Sequence, residues 1–138
     1  MPSRHLFEYA VLQVVPRVDR DERINVGVML WSAGADFLDA MCEVDAGKLR
    51  AIDPGADTGA IQGHLTALQA ECRGDPGSGP IGALPNRERF LMLAAPRSTV
   101  IQPSPIHTGL CGDPAETLTA LFGRLVATPE LSHVRADD

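Results

Sequence analysis

The sequence predicts an α+β fold, in which a mostly antiparallel sheet of four or five strands has three or four helices packed on it. Three strand-like segments with short connections follow one another at the start of the chain. Segments with helical periodicity come after them. The chain has 138 residues, of which 44% are hydrophobic, so it is long enough to bury a core without disulfides.

The three N-terminal strands predict an antiparallel meander. Residues 6–15 are apolar on both alternating faces, which indicates a central strand covered on both sides. Residues 24–31 alternate strictly, which predicts a second strand with one aliphatic face formed by Ile24, Val26, Val28 and Leu30. The third strand is expected over residues 38–44, with its core side formed by Leu38, Ala40, Cys42 and Val44.

Three helices are expected in the middle of the chain. Residues 46–52 form a short one, which ends at the sequence Asp53-Pro54-Gly55. Residues 57–73 form an amphipathic helix with an apolar stripe of Ile61, Leu65, Leu68 and Cys72. Residues 87–94 form a third helix that Asn86 caps.

The C-terminal part predicts one more strand and one more helix. Three β-branched residues indicate a fourth strand over residues 98–102, followed by a proline-shaped crossover. Asp113 as N-cap, Pro114 at the first position and Glu116 in a capping box begin the last helix. We expect a single domain over residues 1–128 and a frayed tail over residues 129–138.

Composition limits the classes of function. The formal net charge of -6 argues against a nonspecific nucleic-acid-binding protein. No apolar run approaches the roughly 20 residues of a membrane span, and the N-terminus shows no signal-peptide pattern. Three widely spaced cysteines (Cys42, Cys72 and Cys111) predict free thiols rather than a disulfide framework. These observations predict a cytoplasmic protein, and they leave its oligomeric state open.

The most chemically diverse segment spans residues 95–109. A guanidinium, several hydroxyls and an imidazole in this segment suit a phosphate or carboxylate. Asn25 joins the candidate ligand-binding residues because asparagine is disfavoured in strands. Its side chain therefore needs a specific partner, either a buried loop or a ligand. The predicted ligand-binding residues are Asn25, Arg97, Ser98, Thr99, Ser104, His107 and Thr108. The alternative is structural, with the hydroxyls bonded to backbone groups and His107 acting as a strut. The sequence allows either a cis or a trans peptide bond before Pro103 and before Pro105.

Catalytic and metal-binding patterns are not found. His107 and Cys111 have a spacing of four residues, but no third ligand accompanies them, so we expect no metal site. No nucleophile elbow, phosphate-binding loop or zinc-protease motif occurs. We therefore assign no catalytic residue and expect no cofactor. A small hydrolase or transferase with His107 as general base is the enzymatic alternative.

Five blocks of the sequence are similar to a known family. These blocks are Phe7–Val11, Asn25–Val28, Gly79–Gly82, Ala95–Thr99 and Ser104–Gly109. In order and spacing they resemble the bacterial domain of unknown function family DUF3037 over nearly the whole chain. The resemblance implies an accessory role, because genes of this family often lie beside genes for HipA-like kinases.

Three hypotheses about function follow. The first is a non-enzymatic accessory or regulatory domain that binds a protein partner, such as a HipA-like kinase. The second is a sensor of a small anionic ligand, built on the 97–109 segment. The third is the His107-dependent enzyme.

Overall fold

A computed structural model describes residues 4–96 and 100–127 of the chain. The strands are β1 (His5–Val14), β2 (Ile24–Ser32), β3 (Phe37–Cys42), β4 (Ile101–Pro103) and β5 (His107–Cys111). The helices are α1 (Ala46–Ile52), α2 (Thr58–Arg73), α3 (Asn86–Leu93) and α4 (Pro114–Leu125), with short 3-10 turns at Val18–Arg20 and Ile81–Ala83. The predicted α+β class is confirmed. The tail predicted over residues 129–138 lies outside the described residues.

The sheet is antiparallel, and β1 lies at its centre. β3, β2 and β1 form the predicted meander. Both C-terminal strands pair with the other side of β1: β4 with Leu12–Val14 and β5 with His5–Tyr9. The two registers differ by one residue, so the chain bulges between β4 and β5. Ser104 holds this bulge, because its N–H donates to the Val11 carbonyl at 2.7 Å and its Oγ accepts from the Val11 N–H at 2.8 Å.

Two predictions for the C-terminal strands are wrong in detail. The fourth strand runs over Ile101–Pro103 instead of residues 98–102, of which 98 and 99 lie outside the described residues. The segment expected to be a crossover contains β5, because the exposed side of β1 offers backbone partners along its whole length. Gly109 in β5 has no side chain to pack, and the Phe7 ring fills that space, so that a Cβ there would lie 2.7 Å from Phe7 Cζ.

The predicted single aliphatic face of β2 is also wrong. Leu12 pairs with Gly27, whereas the next residue, Gln13, pairs with Asn25, so Val26 is an extra residue in β2. One extra residue reverses the alternation of side chains. As a result, Ile24 and Val26 belong to one core cluster, and Val28 and Leu30 belong to the other.

The two core clusters lie on opposite faces of the sheet. On one face, α1, α2 and α3 pack on alternate residues of β1, and their buried side chains are Leu49, Ile61, Leu65, Leu68, Cys72, Phe90 and Leu93. On the other face, Leu118 and Leu121 of α4 pack with Phe7 of β1. The third strand ends earlier than predicted, at Cys42, and Cys42 and Val44 are only partly buried against the first face.

Local sequence explains where the helices begin. Asp45, Asp57 and Asp113 accept hydrogen bonds from the first turns of α1, α2 and α4, and Pro114 occupies the first turn of α4 as predicted. The Asp113 carboxylate accepts from the N–H of Ala115. The predicted cap of α3 is shifted, because Pro85 stands at the N-cap position and Asn86 is the first helical residue.

Other features of the described residues bear on earlier predictions. The three cysteines are free. Within residues 4–96 and 100–127 no peptide bond is cis, which includes the bonds before Pro103 and Pro105. None of the helices that the structure describes is both long and apolar enough to cross a bilayer.

Candidate functional site

The predicted ligand-binding residues occupy several places in the fold. Arg97, Ser98 and Thr99 lie outside the described residues. Ser104 lies at the β4–β5 bulge, where its hydroxyl bonds the backbone of β1 and donates to the Pro105 carbonyl at 2.9 Å. The anion site that combines all of these residues stays a prediction.

Asn25 lies on the face of the sheet that α4 covers. Its side-chain N–H donates to the carbonyl oxygen of Leu125 at 3.0 Å, and its side-chain oxygen accepts from Gln13 Nε2 at 3.0 Å. The carbonyls of the last helical turn lack partners within their own helix. Asn25 therefore caps the C-terminal end of α4, and both its side-chain nitrogen and its side-chain oxygen are hydrogen-bonded.

His107 and Thr108 lie on β5, on opposite faces of the sheet. The His107 ring is exposed and lies beside the Tyr9 ring, with 5.2 Å between centroids. Tyr9, the partner of His107, and Gln13, the partner of Asn25, are four residues apart on β1, which is about 13 Å. His107 and Asn25 are thus too far apart to share a small anion directly.

A cleft that sequence analysis missed lies between α2 and β4, and we call it the α2–β4 cleft. Its volume is about 580 Å³. One wall is the outer side of α2, and the other contains Pro16, Val100 and Ile101. The turn between α1 and α2 closes one end with Asp53, Gly55 and Ala56. Ala60 and Ala67 of α2 line the cleft, and in the sequence they are the small residues that indicate space beside this helix.

The outer edge of the sheet is a second candidate surface. Among the described residues, β5 pairs with β1 alone, so its other edge faces away from the sheet. Leu6 and Leu110 are cross-strand neighbours, and their exposed fractions are 60% and 62%. This pair was not predicted from the sequence, because residues 107–111 were expected to form a crossover.

The thiols of Cys42 and Cys72 are poor nucleophiles. Burial raises the pKa of Cys42 to about 12, and burial also raises the pKa of Cys72. Because the thiolate is the reactive form, neither group attacks an electrophile readily at neutral pH. Across the part of the chain that the structure describes, no three His, Cys, Asp or Glu side chains are grouped so as to hold a metal ion.

Comparison with known proteins gives one match. A family model described as Protein of unknown function (DUF3037) matches residues 9–126. That range contains most of β1 and all four helices, so it covers the first core cluster and all of the second except Phe7. No curated protein and no solved structure matches the chain. The family match confirms the predicted resemblance.

Proposed function

The chain belongs to the DUF3037 family of unknown function, and from that premise we propose that it is a non-enzymatic module that binds a protein partner at the outer edge of β5. The observation that carries the proposal is the exposed pair Leu6 and Leu110 beside that edge. A strand of the partner would add to β5 by backbone hydrogen bonds, and these two side chains would give it an apolar contact.

The composition of β5 supports strand addition. Natural sheet edges are protected by lysines and other charges, by proline or by very short strands. The five residues from His107 to Cys111 include no proline and no Asp, Glu, Lys or Arg. Such an edge accepts another strand without burying an unpaired charge.

The exposed leucines support an apolar contact. Leu6 has the same alternation along β1 as Ala10 and Leu12, so it points to the face that carries α1–α3, yet it lies beyond their cover. Burial of apolar surface contributes roughly 25 cal/mol per Å². Glu8 and Thr108, the next cross-strand pair on the same face of the sheet, place polar groups beside the leucines. An apolar centre with polar neighbours is typical of protein interfaces.

The resemblance names a first partner to test. A HipA-like kinase, the kind of partner that the resemblance implies, is co-expressed with the full chain, and complex formation is measured by size-exclusion chromatography with light scattering. Leu110→Lys introduces a charge at the edge and is expected to abolish the complex. Leu91→Lys is the matched control, because Leu91 is an exposed leucine (40%) on α3.

The outcomes distinguish the proposed docking site at β5 from the proposed protein-binding function. Loss of the complex in Leu110→Lys, with retention in Leu91→Lys, supports docking at β5. A complex that survives Leu110→Lys contradicts docking at this edge. Recovery of the chain without any partner at its native abundance contradicts a protein-binding function.

A further inference from the structure

The α2–β4 cleft has the size and shape of a small-molecule site. Its volume of about 580 Å³ lies within the range of roughly 300–1,000 Å³ that is usual for ligand pockets. Its base is apolar, because the buried side chains of Ile61, Leu68 and Ile101 line it. An apolar base suits the hydrocarbon part of a ligand.

The small residues of α2 keep the cleft open. Ala60 and Ala67 lie on the helix face that forms the wall, and both are exposed. A longer side chain at either of these lining positions would occupy part of the cleft. The open space therefore results from the residues that the sequence places on this face of α2.

The charged groups that line the cleft have one sign. Asp53, Asp57 and Glu71 are lining residues, and no Lys or Arg is among the lining residues that the structure describes. Asp53 Oδ1 accepts from the Gly55 N–H at 3.1 Å, and Asp57 Oδ1 accepts from the Ala60 N–H at 2.9 Å. These bonds fix the orientation of two carboxylates at one end of the cleft. His64 is a further titratable residue in the lining of the cleft.

We infer that the α2–β4 cleft binds a small organic cation, an amine with an alkyl or aromatic body. The body contacts Ile61, Leu68 and Ile101, and the ammonium group interacts with the carboxylates at the rim. An anion with the same body is disfavoured, because its negative charge would be repelled by the carboxylates at the rim. This site is separate from the β5 edge and does not depend on the proposed function.

The test uses three probes with the same aromatic body. Phenethylamine, 2-phenylethanol and 3-phenylpropionate are titrated into the full chain, and amide chemical shifts are followed by NMR. For a ligand of this size we expect an amine dissociation constant on the order of 1 mM. The carboxylate is expected to bind about tenfold or more weakly than the amine, and added salt is expected to weaken amine binding.

Two variants of α2 test the location. Ala60→Phe fills the cleft from an exposed helical position and is expected to abolish the shifts of the Ile61, His64 and Leu68 amides. Gln62→Phe is the matched control, because Gln62 is exposed on the same helix and does not line the cleft. The thermal unfolding midpoint of each variant shows whether it is folded.

A third variant tests the charge. The combined changes Asp53→Asn, Asp57→Asn and Glu71→Gln keep side-chain size, and asparagine is also a good N-cap for α2. They are expected to remove the preference for the amine over the alcohol. Equal affinity for amine and carboxylate, shifts located away from the cleft, or the absence of shifts at 10 mM phenethylamine (about ten times the expected dissociation constant) would overturn the proposal. Leu110→Lys is expected to leave amine binding unchanged, so the two proposals fail independently.

Discussion

The side-chain amide of Asn25 in β2 donates to the carbonyl oxygen of Leu125 at the end of α4, with 3.0 Å between the two heavy atoms. This bond joins the sheet to the helix that covers one of its faces. It also gives a physical reason for an asparagine inside a strand, where the residue is otherwise unfavourable. A polar residue in an apolar strand is thus explained by the end of a helix.

The first prediction concerns this bond. Asn25→Leu is expected to lower the free energy of unfolding by about 1–2 kcal/mol, because it leaves the Leu125 carbonyl and the Gln13 amide without their partner. Asn25→Asp is expected to lower the free energy of unfolding by at least as much, since it places a negative charge beside a helix C-terminus. Urea unfolding measures both. An unchanged unfolding midpoint for both variants would show that the bond contributes nothing to stability.

The case of Asn25 shows what sequence reasoning can and cannot give. An asparagine is disfavoured in a strand, which indicated that this residue has a specific partner. Identifying that partner, 100 positions away in the sequence, requires knowledge of the fold. The hydrophobic patterns predicted the meander and the helices, because apolar periodicity is a local property. The bulge at Val26 was not predictable in this way, because an alternating pattern is compatible with a regular strand and with a bulged one.

The cleft and the β5 edge were missed for a related reason. Each is formed by segments that are distant in sequence. Each is open because none of the other segments that the structure describes packs over it. Ala60 and Ala67 were visible in the sequence, but nothing local shows that Val100 lies opposite them. The pairing of β5 with β1 places Leu110 beside Leu6, and β5 is only five residues long, so its own pattern was too weak to predict it.

The second prediction concerns a buried arginine. Arg89 of α3 is 8% exposed, and its guanidinium donates to the Cys72 carbonyl at 2.9 Å, to the Leu84 carbonyl at 2.6 Å and to Asn86 Oδ1 at 2.5 Å. It thereby closes the C-terminal end of α2. Arg89→Met is expected to lower the free energy of unfolding by about 2–4 kcal/mol, because buried carbonyls lose their donors.

The control for Arg89 lies on the same helix. Arg87 is exposed, so Arg87→Met is expected to change the free energy of unfolding by less than about 0.5 kcal/mol. Both variants are compared by urea denaturation. Equal effects at the two positions would contradict the structural role of Arg89.

The third prediction compares two glycines. A Cβ at Gly27 would lie 2.8 Å from Cys42 Sγ and 3.0 Å from the Met41 carbonyl oxygen, which is backbone in the neighbouring strand. Gly27→Ala is therefore expected to destabilise the fold by about 1–3 kcal/mol. Gly63 lies within α2 with nothing within 4 Å of its Cβ position, so Gly63→Ala is expected to stabilise by about 1 kcal/mol. Changes of the same sign in thermal unfolding would contradict this.

The fourth prediction concerns alkaline pH. Burial raises the pKa of Cys42 to about 12 and raises that of Cys72 as well, from a reference value of 9.0. Above that reference value the unfolded chain loses these protons while the folded chain keeps them. The unfolded state is then favoured, so the free energy of unfolding falls as pH rises between about 9 and the folded pKa. Each thiol contributes up to about 1.4 kcal/mol per pH unit in this window.

The measurement for this prediction is the slope of the free energy of unfolding against pH between pH 8 and about pH 10.5, a range that brackets the onset of thiol titration. The double variant Cys42→Ala, Cys72→Ala is expected to be less stable at pH 8, because it loses buried volume, but to show a shallower slope. Its remaining slope reports the other groups that titrate at high pH. Iodoacetamide gives an independent readout, since the native chain should alkylate slowly at both positions and the unfolded chain quickly. If the double variant kept the full slope, burial of these two thiols would not be the cause of the alkaline loss of stability.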